Sequence, residues 1–126
     1  MADNNKNTIL IVDCDFLSMK LESDLLQANG FNVLKASCGK EALNMLKCSI
    51  PNLVILDIRL PDISGYELFN KIKQDARLAN VKIIAVTAFA MKEEEQKIKS
   101  VGFDSFIAKP IDIKDFIRQI KDKVSG

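Results

Sequence analysis

Short, almost wholly apolar runs alternate along this chain with stretches of helical spacing, and that alternation restricts the fold more than any other feature. The runs occupy residues 9–12, 31–34, 53–56, 83–86 and 106–108. The first, third and fourth do not alternate with polar residues, as expected of strands covered on both faces inside a parallel sheet. Between them, apolar residues recur at helical intervals. Leu17, Leu21, Leu25 and Ala28 mark one stripe, closed by Asn29 and Gly30; Ala42, Leu43 and Leu46 mark a second. Leu68, Phe69 and Ile72 follow Ser64 and Gly65 as a third, and residues 91–101 form a weaker fourth that ends at Gly102. Ile113, Phe116, Ile117, Ile120 and Val124 complete a fifth, with Asp112 placed to cap it.

Strands alternating with helices, joined by right-handed crossovers, predict an α/β doubly wound parallel sheet. With five such units the expected architecture is flavodoxin-like (βα)5 with strand order 2-1-3-4-5. The chain of 126 residues has room for one domain. Its expected division is a flexible tail at 1–7 and a single domain at 8–126 without an output domain.

Composition then removes whole classes of function. Eighteen basic against 17 acidic residues leave a formal charge of +1, so no global field draws in nucleic acid or an anionic membrane. No apolar stretch approaches the roughly 18 residues that signal a membrane span, so membrane insertion is not expected. Three cysteines, an odd number without paired metal spacing, fit a reducing cytoplasm better than a disulfide framework. The absence of histidine excludes Ser-His and Cys-His nucleophilic pairs and any histidine base.

Ligands of such sheets sit beyond the carboxyl ends of the strands, where the strand order reverses. There the first strand runs into Asp13-Cys14-Asp15, the third ends in Asp57, the fourth in Thr87, and the fifth leads to Lys109-Pro110. Two carboxylates about 4 Å apart repel by about 4 kcal/mol at an effective dielectric near 20, which a divalent cation would relieve. Oxygen donors with water favour magnesium. A carboxylate facing a metal-held phosphoryl donor can act as nucleophile, and a lysine and a hydroxyl beside it can stabilise the transferred group. Such chemistry needs positioning and charge more than acid–base groups.

The strings IVDCD at 11–15, LVILDIRLP at 53–61, VTA at 86–88 and FIAKP at 106–110, with Gly65 between them, closely resemble the receiver domain of two-component response regulators. The resemblance covers essentially the whole chain, and the stretch TAFAMK at 87–92 looks most like stand-alone receivers of the DivK-like type from bacterial cell-cycle control.

That resemblance implies that Asp57 is the phosphoacceptor, supplied by a histidine kinase or phosphotransfer protein. Asp13, Asp57 and the backbone carbonyl of Arg59 would hold magnesium. Thr87 and Lys109 would bind the phosphoryl group, Phe106 would couple to Thr87 as a switch, and Lys109-Pro110 would be a cis bond. Arg59 and Phe89 would tune the lifetime of the phosphoryl group. A downstream signalling protein would read the switched state; no enzyme activity is expected beyond slow self-dephosphorylation.

Cys14 departs from the family. It stands where receivers carry a second acid that ligates magnesium, and a thiol is a poor ligand for a hard cation. Weaker magnesium binding and slower phosphorylation are therefore expected. Asp15 is placed either to substitute or to cap the following helix, and Cys38 and Cys48 read as small buried residues. Two other readings stay open on the residues: a degenerate receiver that binds partners without phosphorylation because of Cys14, and a phosphatase of the haloacid-dehalogenase type using Asp13 and Asp15.

Overall fold

The computed structural model describes residues 7–88 and 91–125. Residues 1–6 of the expected tail, and Phe89, lie outside the described residues. The elements run β1 (Thr8–Val12), α1 (Phe16–Ala28), β2 (Asn32–Ala36), α2 (Gly39–Cys48), β3 (Leu53–Asp57), α3 (Gly65–Lys73), a 3-10 turn (Ala76–Leu78), β4 (Lys82–Thr87), α4 (Lys92–Val101), β5 (Ser105–Ala108) and α5 (Ile113–Ser125). All strand pairs are parallel and the order is β2-β1-β3-β4-β5, the order expected from the alternation. β3 is buried along its whole length, and β1 and β4 all but their first residues. The edge strand β2 is only half-covered and runs two residues past the apolar stretch that announced it.

The period of two along each strand divides the core between two layers. Leu10 and Val12 of β1, with Val54 and Leu56 of β3, pack against α2, α3 and α4 through Leu46, Leu68, Phe69, Ile72 and Ile98. Ile9 and Ile11, with Leu53 and Ile55, pack against α1 and α5 through Met19, Leu26, Phe116 and Ile120. Continuing that alternation past the strand ends places Asp13 and Asp57 on the α1/α5 layer and Thr87 on the other.

The helix boundaries follow from local chemistry. Ser64 caps α3 by accepting from the Glu67 N–H at 3.1 Å. Asp112 accepts from the Asp115 N–H at 3.1 Å at the start of α5. Gly30 and Gly102 end α1 and α4 at φ of +88° and +115°, conformations open to glycine at little cost. Tyr66 of α3 donates to Glu94 of α4 at 2.6 Å while Lys97 lies over its ring, 4.4 Å from the centroid. These contacts hold down a helix whose only buried residue is Ile98.

Two expectations are overturned. The stripe Leu17, Leu21, Leu25 and Ala28 does not face the sheet: Leu17 is 74% exposed, Leu21 and Ala28 are exposed and Leu25 is half-buried. α1 turns Met19, Glu22, Ser23 and Leu26 inward instead. Cys48 is exposed and Cys38 half-buried, because both sit at the ends of α2 rather than on its inner face.

Candidate functional site

Asp13, Asp57 and Lys109 meet at the carboxyl edge, between the neighbouring strands β1 and β3. Lys109 Nζ donates to Asp13 Oδ2 at 3.0 Å and to Asp57 Oδ2 at 3.1 Å. Each carboxylate's other oxygen is fixed by the backbone that follows it. Asp13 Oδ1 accepts from the Asp15 N–H and Asp57 Oδ1 from the Arg59 N–H, both at 2.9 Å. Both carboxylates are therefore pinned at one oxygen and presented to the lysine by the other.

The strands set this convergence. Val12 pairs with Leu56 and Asp57 with Val86, so the chain leaves all three strands at one level. The Lys109 N–H donates to the Thr87 carbonyl at 2.8 Å, which continues the β4–β5 ladder one step into the site. Lys109-Pro110 is a cis peptide. Thr87 is buried at the end of β4. Phe106 lies opposite Ala85 in the register and packs, half-buried, on the same layer. It borders a groove of about 500 Å³ that Ile98, Phe103, Asp115 and Gln119 also line.

Gly65 holds the loop after β3 against the strand. Its N–H donates to the Ile58 carbonyl at 2.8 Å, and a Cβ there would lie 2.6 Å from Ile58 Cα and 2.8 Å from the Asp57 carbonyl oxygen. Any side chain would push α3 off the strand end that carries Asp57, so a glycine is required. Asp62, in the same loop, accepts from the Gly39 N–H at 2.9 Å and the Lys40 N–H at 2.8 Å and so caps α2 from outside. No sequence signal announces a cap that bridges 22 residues or more.

Burial is the largest influence on Asp13 and raises its pKa, against the opposing pull of the Asp15 N–H and of Lys109. Burial also works against the charge of Lys109, but its bonds to Asp13 and Asp57 outweigh that and hold the ammonium above the ordinary lysine value. Asp15 is exposed. Its carboxylate accepts from Ser18 Oγ at 2.8 Å and from the Leu17 N–H at 3.2 Å, so it caps α1 and leaves the pocket to Asp13 and Asp57.

Glu22 is the residue that the sequence did not bring out. It is fully buried on α1, its carboxyl oxygens make no well-formed hydrogen bond, and its nearest polar neighbour is the Asp13 carboxyl. Burial, and next the charge of Asp13, push its pKa up to about 8; Asp57 and Lys109 are also close enough to act on it.

Cys14 is exposed, and its Sγ contacts the Arg59 carbonyl oxygen at 3.7 Å. The expected cation donors, Asp13, Asp57 and the Arg59 carbonyl, are thus gathered at one rim, with the thiol lying on the carbonyl. Among the described residues no three His, Cys, Asp or Glu side chains close on a single point. The donor set is two carboxylates and a carbonyl, which suits magnesium, an ion that keeps several of its waters. The oxygens fit that ion; the thiol does not.

An apolar surface borders the site. Phe16 is 75% exposed at the start of α1, and Leu17, Ser18, Leu21, Lys109, Pro110 and Ile111 line a shallow pocket of about 200 Å³ beside it. Among the described residues no helix is long and apolar enough to cross a membrane.

The model of the response regulator receiver domain matches residues 9–121. The polar-differentiation response regulator DivK of Brucella ovis is 40% identical over 114 residues, which cover 90% of this chain and 93% of that one. Among solved structures, a CheY-like response regulator receiver domain protein from Methanospirillum hungatei superposes with a TM-score of 0.87 at 31% identity, covering 96% of this chain and 95% of the other. A Chloroflexus aurantiacus chain assigned as a response regulator gives 0.92 at 26% identity, over 97% and 100%. With the fold, the acid pair and its lysine in place, the chain belongs to the response regulator receiver domain family.

Proposed function

We propose that this receiver accepts a phosphoryl group on Asp57 from a histidine kinase or phosphotransfer protein and signals by protein–protein interaction. The observation that carries this reading is the single ammonium of Lys109 held at 3.0 and 3.1 Å by Asp13 and Asp57. Of the two acids, Asp57 has the more accessible side chain, 10% against 2% for Asp13. It is therefore the nucleophile and Asp13 the anchor.

In the transfer, an Asp57 carboxylate oxygen forms the new bond to phosphorus as the phosphorus–nitrogen bond of the donor's phosphohistidine breaks. The electron pair leaves with the imidazole, and an acyl phosphate remains on the chain. The pinned Asp57 Oδ1 fixes the direction of attack, and Lys109 stabilises charge on the phosphoryl oxygens. Asp13, Asp57 and the Arg59 carbonyl would hold magnesium, which supplies positive charge to two carboxylates that a phosphoryl dianion must approach. Cys14 adds no hard ligand to that set, so binding weaker than in a receiver with an acid there is expected.

Thr87 supplies a hydroxyl to the phosphoryl group, and Phe106, on the same layer and next to an open groove, follows it as the switch. The apolar rim of Phe16, Leu17, Leu21 and Ile111 receives the donor, and the groove between α4 and α5 presents the switched state to a downstream protein. Arg59 and Phe89, two residues beyond Asp57 and Thr87 in the sequence, set how slowly the phosphoryl group is hydrolysed. The name of the Brucella relatives directs the proposal to polar differentiation, and a regulator of cell-cycle type in the cytoplasm is the reading we attach to it.

Incubation with phosphoramidate or acetyl phosphate, read by intact-mass spectrometry, tests the reading. A magnesium-dependent phosphoryl adduct that disappears in Asp57→Asn is the expected result. No adduct in wild type, with partner binding indifferent to Asp57→Asn, would leave a phosphorylation-independent binding module instead.

A further inference from the structure

Two cross-braces tie α2 to the chain around α3, one at each end of α2. At its start the Asp62 carboxylate accepts from the Gly39 and Lys40 N–H groups, and a Cβ at Gly39 would lie 2.6 Å from Ile63 Cγ1. At its end Arg77, in the turn after α3, donates to the Leu46 carbonyl at 2.9 Å while pairing with Asp75. Between the braces the two helices leave a groove open. The part nearer Asp62 holds about 310 Å³ and the part nearer Arg77 about 300 Å³. Leu43, Lys47 and Lys71 line both parts.

The floor of this groove is apolar and its rim is basic. Leu43 and Ile63 are half-buried there, over the buried Leu46 and Leu78. Lys40, Leu43, Asn44 and Lys47 stand at i, i+3, i+4 and i+7 of α2, a stripe with a cation at each end, about 10 Å apart along the axis. Lys71 lies across from them on α3. Among the described residues no ion pair engages any of these three lysines. Both acids of the lining are already engaged, Asp62 by backbone N–H groups and Asp75 by Arg77. Glu41 of α2 is held by Ser37, and Glu67 of α3 lines a different hollow with Ile58 and Arg59. Positive charge is thus concentrated on an apolar floor, in a chain whose formal charge is only +1.

We propose that this groove docks an acidic amphipathic helix of another protein. Carboxylates two turns apart on that helix meet Lys40 and Lys47, and an apolar side chain between them rests on Leu43 and Ile63. Charge complementarity sets the class of partner, since three unengaged cations call for anions. The floor sets it further: no aromatic ring lines the groove for a nucleic-acid base to stack on. A furrow between two helices also seats a helix better than it meets a lipid surface. The braces hold the furrow ready-made, so little ordering opposes docking. The groove shares no lining residue with the apolar rim beside Lys109 or with the groove between α4 and α5. A docked helix therefore leaves both free, and the inference does not depend on phosphorylation of Asp57.

The probe is a fluorescein-labelled, lactam-stapled helical peptide with glutamates seven residues apart and leucines between them. Its binding to the full chain is read by anisotropy and by amide shifts in NMR. Saturable binding is expected, with shifts centred on Lys40, Leu43, Lys47 and Lys71. Lys47→Glu combined with Lys71→Glu, both at exposed positions, should weaken it about tenfold or more. A peptide carrying lysine in place of one glutamate should regain affinity for Lys47→Glu alone, which also shows that the variant is folded. Serine in place of the peptide's leucines should cost about tenfold, a loss that charge attraction alone would not produce.

No saturable binding of the acidic peptide overturns the proposal, as does binding that the double charge reversal leaves unchanged. So does a loss in Lys47→Glu that the lysine peptide fails to repair, or equal binding of the serine peptide, which marks loose charge attraction. Oligo(dT) and phosphatidylserine vesicles are run alongside. Tighter binding of either through the same lysines assigns them to a polyanion and removes the protein partner. Asp57→Asn should bind the peptide as wild type does. A phosphoryl adduct without peptide binding removes only this inference, and peptide binding without an adduct removes only the phosphoacceptor role.

Discussion

Helices α1 and α3 flank the same pair of acids, yet they are built in opposite senses. α3 buries Leu68, Phe69 and Ile72 and closes its first turn with a serine cap. α1 buries Glu22 and Ser23 beside Met19 and Leu26, leaves the Glu22 carboxyl and Ser23 Oγ without well-formed hydrogen bonds, and exposes Phe16 and Leu17. Burial of apolar area explains the three inward side chains of α3. It does not explain the buried Glu22 and Ser23 of α1, or the exposed Phe16 and Leu17 at its start. Where residues depart from the folding rules at one end of a helix, function is the better explanation, and α1 is the helix that begins at the acid pocket.

Substitutions on the two helices should therefore separate stability from function. The largest effect belongs to α3: Leu68→Ala should lower unfolding free energy by about 3 kcal/mol in urea denaturation. Magnesium affinity should be unchanged, and a matching loss of affinity would break the contrast. On α1 the sign should reverse. Glu22→Met should stabilise the metal-free protein by about 1–2 kcal/mol, since a buried ionisable group gives way to an apolar one of similar size.

A smaller loss, read as a fall in Tm below that of Leu68→Ala, should follow Asp62→Ala, which removes the external cap of α2. Backbone N–H groups of Gly39 and Lys40 hold this carboxyl below its ordinary value of 3.8. A carboxyl with a lowered folded pKa stabilises above the unfolded value and loses that contribution as pH falls through the folded one. The gap in Tm between wild type and Asp62→Ala should therefore be full above about pH 5 and close in strong acid.

The smallest effect on stability, within about 0.5 kcal/mol, is expected for Leu17→Ser on the exposed rim. Phosphorylation by phosphoramidate should survive that change while transfer from a protein donor declines. Equal loss with both donors would remove the docking role from α1.

The same contrast explains what could be foreseen from the sequence. β1, β3 and β4 were legible because strands covered on both faces leave unbroken apolar runs. Their order alone brings Asp13, Asp57 and Lys109 to one rim. α1 is harder to read for a physical reason: its apolar stripe of Leu17, Leu21, Leu25 and Ala28 lies mostly outside. Glu22 escaped notice because a glutamate in a helical stretch ordinarily reads as surface. Asp62 could not be found at all, since its cap acts on a helix that begins 23 residues earlier. The thiol contact between Cys14 and the Arg59 carbonyl likewise exists only once β1 and β3 are side by side.

On the proposed function, Asp57 and not Asp13 takes the phosphoryl group, although the two acids share one ammonium. Borohydride reduction of the protein after phosphoramidate treatment in magnesium converts an acyl phosphate into a stable alcohol at the carbon that carried it. Peptide mass mapping then places it. A reduced residue at 57 and an unmodified residue at 13 is the predicted result; reduction at Asp13, or at neither acid, would contradict the account.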